Sequence, residues 1–276
     1  MWPVFVFGTG RCGSTYLQRL ITVSTCCWIW GEHDGFLRPL LKSLTLFETS
    51  QTLKRAVFDA GPRGDDQLIS EMTHGSEGLA WLNRFEQAGF RTELASLVDR
   101  MFRTVPVGWT CWGFKEIRYG LDNNAPAILL DLFPTSTAVF TFREPKSTIE
   151  SMVRTWGRST PENEPQSLDS LAEDYRNAVS TWRKIVTYFL EYREQFGRPI
   201  VFLSGDKLNR GTEEILQALR LPVTRAISCD LGVTNLGPSW PQWVRARFDE
   251  LYENDSAECL GLFTRACAAS DADFTR

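Results

Sequence analysis

The residues best suited to chemistry are clustered at positions 8–15, Gly-Thr-Gly-Arg-Cys-Gly-Ser-Thr, directly after a short apolar run at 4–7. A glycine-rich turn from a buried strand into a helix start leaves backbone N–H groups free. It also presents the positive end of the helix dipole, and both suit a phosphate. A purely structural turn would need the glycines but not Arg11, Ser14 and Thr15. Gly8 and Gly13 stand at the G-x-x-x-x-G spacing of a triphosphate loop, yet Ser14 occupies the place of the lysine that reaches the β/γ-phosphates. Arg11 supplies the cation instead, which argues against ordinary ATP chemistry. Gly8, Gly10 and Gly13 also fit G-x-G-x-x-G, and Glu32, 19 residues after Gly13, falls where a dinucleotide fold places its ribose-binding acid. An NAD(P)-dependent oxidoreductase is therefore one reading. It leaves Ser14 and Thr15 idle, and mostly helical pattern follows where another strand is due.

Arg11-Cys12-Gly13-Ser14-Thr15 also resembles the 5′-phosphosulfate loop of sulfotransferases that use 3′-phosphoadenosine 5′-phosphosulfate (PAPS), with the pattern Lys/Arg-x-Gly-Ser/Thr-Thr. An arginine fork with two hydroxyls can grip such a group without Mg²⁺. The resemblance is closest to the tyrosylprotein and bacterial-type enzymes that use a glutamate base, and it runs over about residues 3–250. It implies that Gly10, Arg11, Cys12, Gly13, Ser14 and Thr15 bind the 5′ end of the donor. Arg143 closes a strand and Ser151 follows it at the family's R-x₇-S spacing. The resemblance implies that this pair holds the 3′-phosphate. Lys115, in Trp-Gly-Phe-Lys-Glu-Ile-Arg, is similar to the family's lysine on the bridging oxygen, where charge builds in the transition state. Arg118 would add positive field.

Glu32, in Gly-Glu-His, sits where some members of that family place a glutamate, and the resemblance implies that it is the general base that takes the acceptor's hydroxyl proton. His33 is the alternative, since many cytosolic members use a histidine. Glu32, Lys115 and Arg11 form the expected catalytic set. The expected function is metal-independent, in-line sulfuryl transfer from PAPS to a hydroxyl on a small molecule, sugar, lipid or peptide, with the bisphosphate PAP as product. A non-catalytic nucleotide-binding protein is a further alternative. Two family features are missing: Ser204-Gly205-Asp206 lacks the aromatic residue of some members, and no basic Gly-rich motif follows near the C-terminus. Residues 235–243 are assigned to the acceptor rim.

Positioning these groups requires a sheet. Strand signals fall at residues 4–7, 110–117, 137–142 and 200–203, with 26–30 a second strand or extended segment. Residues 14–21 read as a helix. A long helix from Leu168 carries the stripe Leu171, Tyr175, Val179, Trp182, Ile185, Phe189 and ends at Gly197 and Pro199. Residues 240–263 also read as helical. Between 35 and 104, Leu79, Leu82, Phe85, Leu94, Leu97, Val98 and Met101 recur at helical spacing, interrupted by a glycine- and charge-rich patch at 61–66. His74 is assigned no role, and 159–165 reads as a loop.

The expected architecture is a three-layer α/β/α domain spanning 1–276, P-loop NTPase-like, with a central, mostly parallel sheet. A helical insertion at 36–104 is expected over the active site. PAPS would lie across the carboxyl ends of the strands.

Composition agrees with one such unit of 276 residues: 43% hydrophobic and 23% charged. The net charge of −4 gives no general pull toward nucleic acid, so an anion site must be local. Seven cysteines without a short-spaced framework and two histidines predict reduced thiols and no zinc site. With no apolar run of membrane-spanning length and no signal-like N-terminus, a cytoplasmic location is expected.

Overall fold

The computed structural model describes residues 2–51, 87–120, 124–157, 168–196, 200–224 and 240–274. The patch at 61–66, His74, Leu79, Leu82, Phe85, the loop at 159–165, Gly197, Pro199 and most of 235–243 lie outside the described residues. Strands β1 (Val4–Gly8), β2 (Cys27–Trp30), β3 (Cys111–Glu116), β4 (Thr137–Phe142) and β5 (Ile200–Ser204) form one sheet. Its order is β2-β3-β1-β4-β5, and every neighbouring pair is parallel. β1 and β3 are buried along their whole length, as a sheet covered on both faces requires. The strand at 26–30 is thus a full member of the sheet. β1 lies between β3 and β4, whereas the dinucleotide order 3-2-1-4-5-6 would put β2 beside it.

Helices alternate with the strands: α1 (Ser14–Ser24), α2 (Leu37–Thr49), α3 (Gln87–Phe102), α4 (Ala125–Leu132), α5 (Pro145–Trp156), α6 (Leu168–Phe196), α7 (Thr212–Ala218) and α8 (Gln242–Phe274). The chain divides into two compact units, residues 36–101 and the remainder. In the smaller unit Leu37, Leu41, Leu44, Leu94 and Val98 are buried, Phe47 stacks on Phe90, and Arg91 pairs with Glu48 at 2.6 Å. Leu97 and Met101, which share the helical spacing of Leu94 and Val98, are exposed.

In the larger unit every member of the α6 stripe is buried. α8 continues eleven residues beyond the expected end at 263. Its last turns lie along β5, the sheet's edge strand. The Ser204 N–H donates to Ser270 Oγ (3.4 Å) and the Phe202 N–H to Asp273 Oδ2 (2.8 Å), while Arg193 pairs with Asp273. These contacts occupy outward amides that an uncovered edge would offer to another chain. No helix among the described residues is long and apolar enough to cross a membrane. Residues after the carboxyl ends of β1, β2, β3 and β4 carry Arg11, Glu32, Arg118 and Arg143, so the sheet delivers these groups to one end.

Candidate active site

The loop between β1 and α1 is wound by three left-handed residues: Gly10 (φ 76°), Arg11 (φ 52°) and Gly13 (φ 89°). Such turns build concave arrays of N–H groups that favour anions. A side chain at Arg11 in this conformation is uncommon, and strain of this kind persists only where surroundings hold it. Those surroundings are tight. A Cβ on Gly8 would stand 2.7 Å from Cys12 Sγ, and that thiol lies 3.0 Å from Thr141 Oγ1 on β4. No side chain caps the first turn of α1. The first turn of α5 differs, because Glu144 accepts from the amides of Lys146 (2.9 Å) and Ser147 (2.7 Å).

Arg11 Nε donates to Ser151 Oγ at 2.9 Å, joining two residues 140 positions apart. Ser151 is only 4% exposed on the first turns of α5. A hydroxyl that accepts one bond keeps its own proton to donate elsewhere. Arg143 is exposed at the end of β4, with its aliphatic stem packed over Gly205. It makes no hydrogen bond or ion pair with any described residue.

Lys115, 5% exposed near the end of β3, sends its ammonium to Thr15 Oγ1 (3.3 Å) and forms a short ion pair with Glu32. One cation therefore touches both the loop helix and the carboxylate after β2. Arg118 holds the other Glu32 oxygen at 2.9 Å. It also pairs with Asp34 and Glu116, each at 3.0 Å, so the positive field expected of it is spent on three carboxylates. His33 faces away from this chain of contacts. Its Nε2 is 2.7 Å from Tyr119 Oη, and its ring sits edge-on among Phe102, Phe114 and Tyr119. Burial holds it below the ordinary histidine range, against the opposing pull of Glu116.

Two residues here carried no role in the sequence reading. Glu116 is 0% exposed; its Oε2 accepts from the amides of His33 (3.2 Å) and Gly35 (2.8 Å), and its Oε1 from those of Ile117 (2.9 Å) and Arg118 (3.1 Å). Burial would raise its pKa, but the Gly35 amide, the Arg118 guanidinium, His33 and the Arg118 amide together hold it below the ordinary value. This carboxylate ties the end of β3 to the 32–35 segment and so sets the position of Glu32. The second is Trp156 at the end of α5, 52% exposed, whose indole covers Gly10. A place at the end of a strand buried on both faces hints at a buried Glu116, but nothing local names its partners.

Comparison with family models matches residues 3–220 to the sulfotransferase family. A sulfotransferase from Alicyclobacillus acidocaldarius has a similar fold, with a TM-score of 0.51 at 16% identity over the whole of both chains. The sulfotransferase domain from the curacin biosynthetic pathway gives 0.48 at 14% identity, covering 92% of this chain and 97% of that one. A sulfotransferase from Mycobacterium avium gives 0.45 at 16% identity, covering 91% and 68% respectively. The search of curated proteins finds no match.

Proposed function

The chain belongs to the sulfotransferase family, and from that premise we propose that it moves the sulfuryl group of PAPS to an acceptor hydroxyl, with Glu32 as general base. The observation that carries this reading is the Lys115 ammonium, which contacts Thr15 of the loop helix and pairs with Glu32. A group held at the loop would meet a cation and a carboxylate within one side chain's reach. Gly10 to Thr15 bind the 5′-phosphosulfate. Arg143 and Ser151 take the 3′-phosphate, for which Ser151 retains its hydroxyl proton. The donor's anionic oxygens compete with Glu32 for the Lys115 ammonium, and the acceptor hydroxyl takes the carboxylate oxygen so released. The acceptor oxygen then bonds to sulfur while the bond from sulfur to the bridging oxygen breaks. That bond's electron pair stays on the 5′-phosphate of departing PAP, beside Lys115, and the acceptor's proton passes to Glu32. His33, engaged by Tyr119 and enclosed by aromatic rings, is not in a position that favours this role.

The test is PAP release from PAPS with a panel of phenols, alcohols, sugars and tyrosine peptides. Glu32→Gln should lower kcat by about 10²–10⁴-fold, the usual contribution of a positioned base. His33→Gln should cost far less. Full turnover in Glu32→Gln would overturn the assignment.

A further inference from the structure

Resting on the sulfotransferase reading above, we propose that Trp156 and Ile117 form the apolar wall of the acceptor slot and select a single-ring aromatic hydroxyl. Trp156 is 52% exposed, while Trp112 and Trp182 in the same unit are fully buried. Its burden is not core packing. The indole lies over the glycine loop: a Cβ on Gly10 would run into it and would stand 3.3 Å from Ile117 Cδ1. The indole and Ile117 therefore meet directly above the backbone that holds the transferring group. Together with Thr9, Arg118 and Thr181 they line a cavity of about 270 Å³.

The walls of that cavity are unlike one another. Trp156 and Ile117 offer ring and aliphatic surface, while Arg118, which also lines the cavity, hydrogen-bonds Glu32 Oε2 at 2.9 Å. A ligand that stacks on the indole thus shares the cavity with the arginine that holds the Glu32 carboxylate. Size narrows the class further. An apolar cavity of about 150 Å³ accommodates benzene, so this volume suits one substituted ring and not a fused polycycle or a glycan chain. An exposed indole face favours a flat ring over a saturated one through offset or edge-on packing. A phenol meets each condition, with an apolar ring and a hydroxyl at its edge.

The experiment compares p-cresol with cyclohexanol as acceptors for the wild type, Trp156→Ala and Trp156→Phe, read as kcat/KM for PAP release. A thermal shift of the wild type with PAP runs alongside. The wild type should prefer p-cresol by at least about tenfold, in line with an aromatic stacking gain plus the indole's contact area. Trp156→Ala should lower the wild-type ratio by about tenfold, mainly through KM for p-cresol, and Trp156→Phe should restore most of it, the intrinsic difference in hydroxyl acidity being common to all three proteins. Because the ratio is taken within each variant, a partial loss of folded protein cancels. Equal use of both acceptors by the wild type, or an unchanged ratio in Trp156→Ala, overturns the slot. Turnover of neither acceptor, with PAP still raising Tm, also overturns it while leaving the donor site standing. No PAP shift at all brings down the underlying reading, and the slot with it.

Discussion

Replacing Lys115 by alanine is expected to reduce kcat for PAP release by about 10²–10³-fold, the scale seen when one group that stabilises a developing oxyanion is removed. The ammonium is buried, touches the loop helix through Thr15 and pairs with Glu32, so no other described cation occupies its place. Arg118 cannot substitute, since it is held by Glu32, Asp34 and Glu116. The apolar stem of Lys115 lies in the centre of the sheet beside Val6, and its loss could disturb β3. Lys115→Met keeps that stem and removes only the charge, and it should show the same fall in kcat. Retained turnover in the methionine variant would remove Lys115 from the mechanism.

Glu116→Ala should be the most destabilising change near the site, by about 3–5 kcal/mol, because it leaves the Arg118 guanidinium and four backbone amides short of their acceptor. A loss of that size lowers Tm by roughly 10 °C in a protein of this length. Glu116→Gln keeps one oxygen and should fall in between. The pH dependence follows from the direction of the shift. A carboxyl held low in the fold binds fewer protons there than when unfolded. Its stabilisation is present above the ordinary carboxyl pKa and is lost as pH falls through the folded value. His33 adds to the acid sensitivity: held neutral by burial, it opposes folding increasingly as pH drops below its ordinary value. Tm of the wild type should therefore decline from pH 7 toward pH 4, and Glu116→Ala should flatten the acid end of that curve. A wild-type Tm that held level to pH 4 would contradict the depressed carboxyl.

The parts of this protein that could be read from sequence are those whose signals are local. β1 and the loop after it announce themselves by an apolar run stopped by glycines, and α6 by a stripe at helical spacing. Lys115 and Glu32 were recognisable by context, but their pairing joins positions 83 apart. The Arg11–Ser151 hydrogen bond spans 140. Contacts at such separations depend on strand order, and sheet order leaves no periodic trace in the chain. Glu116 stayed hidden for the same reason, since its partners are mostly backbone amides, which carry no residue identity. The end of α8 was missed because its last turns expose few large apolar groups. Small residues such as Ala266 and Ser270 pack there, and Ser270 and Asp273 find their partners on β5.

The most direct test of the whole account is the melting temperature alone and with equal concentrations of PAP, NADH, or ATP with Mg²⁺. A ligand at 100 times its Kd adds about 2.7 kcal/mol, or roughly 5–10 °C here. The account predicts a rise with PAP only, lost in Arg143→Ala. A rise with NADH and none with PAP would contradict it, and would return the glycine loop to a dinucleotide site.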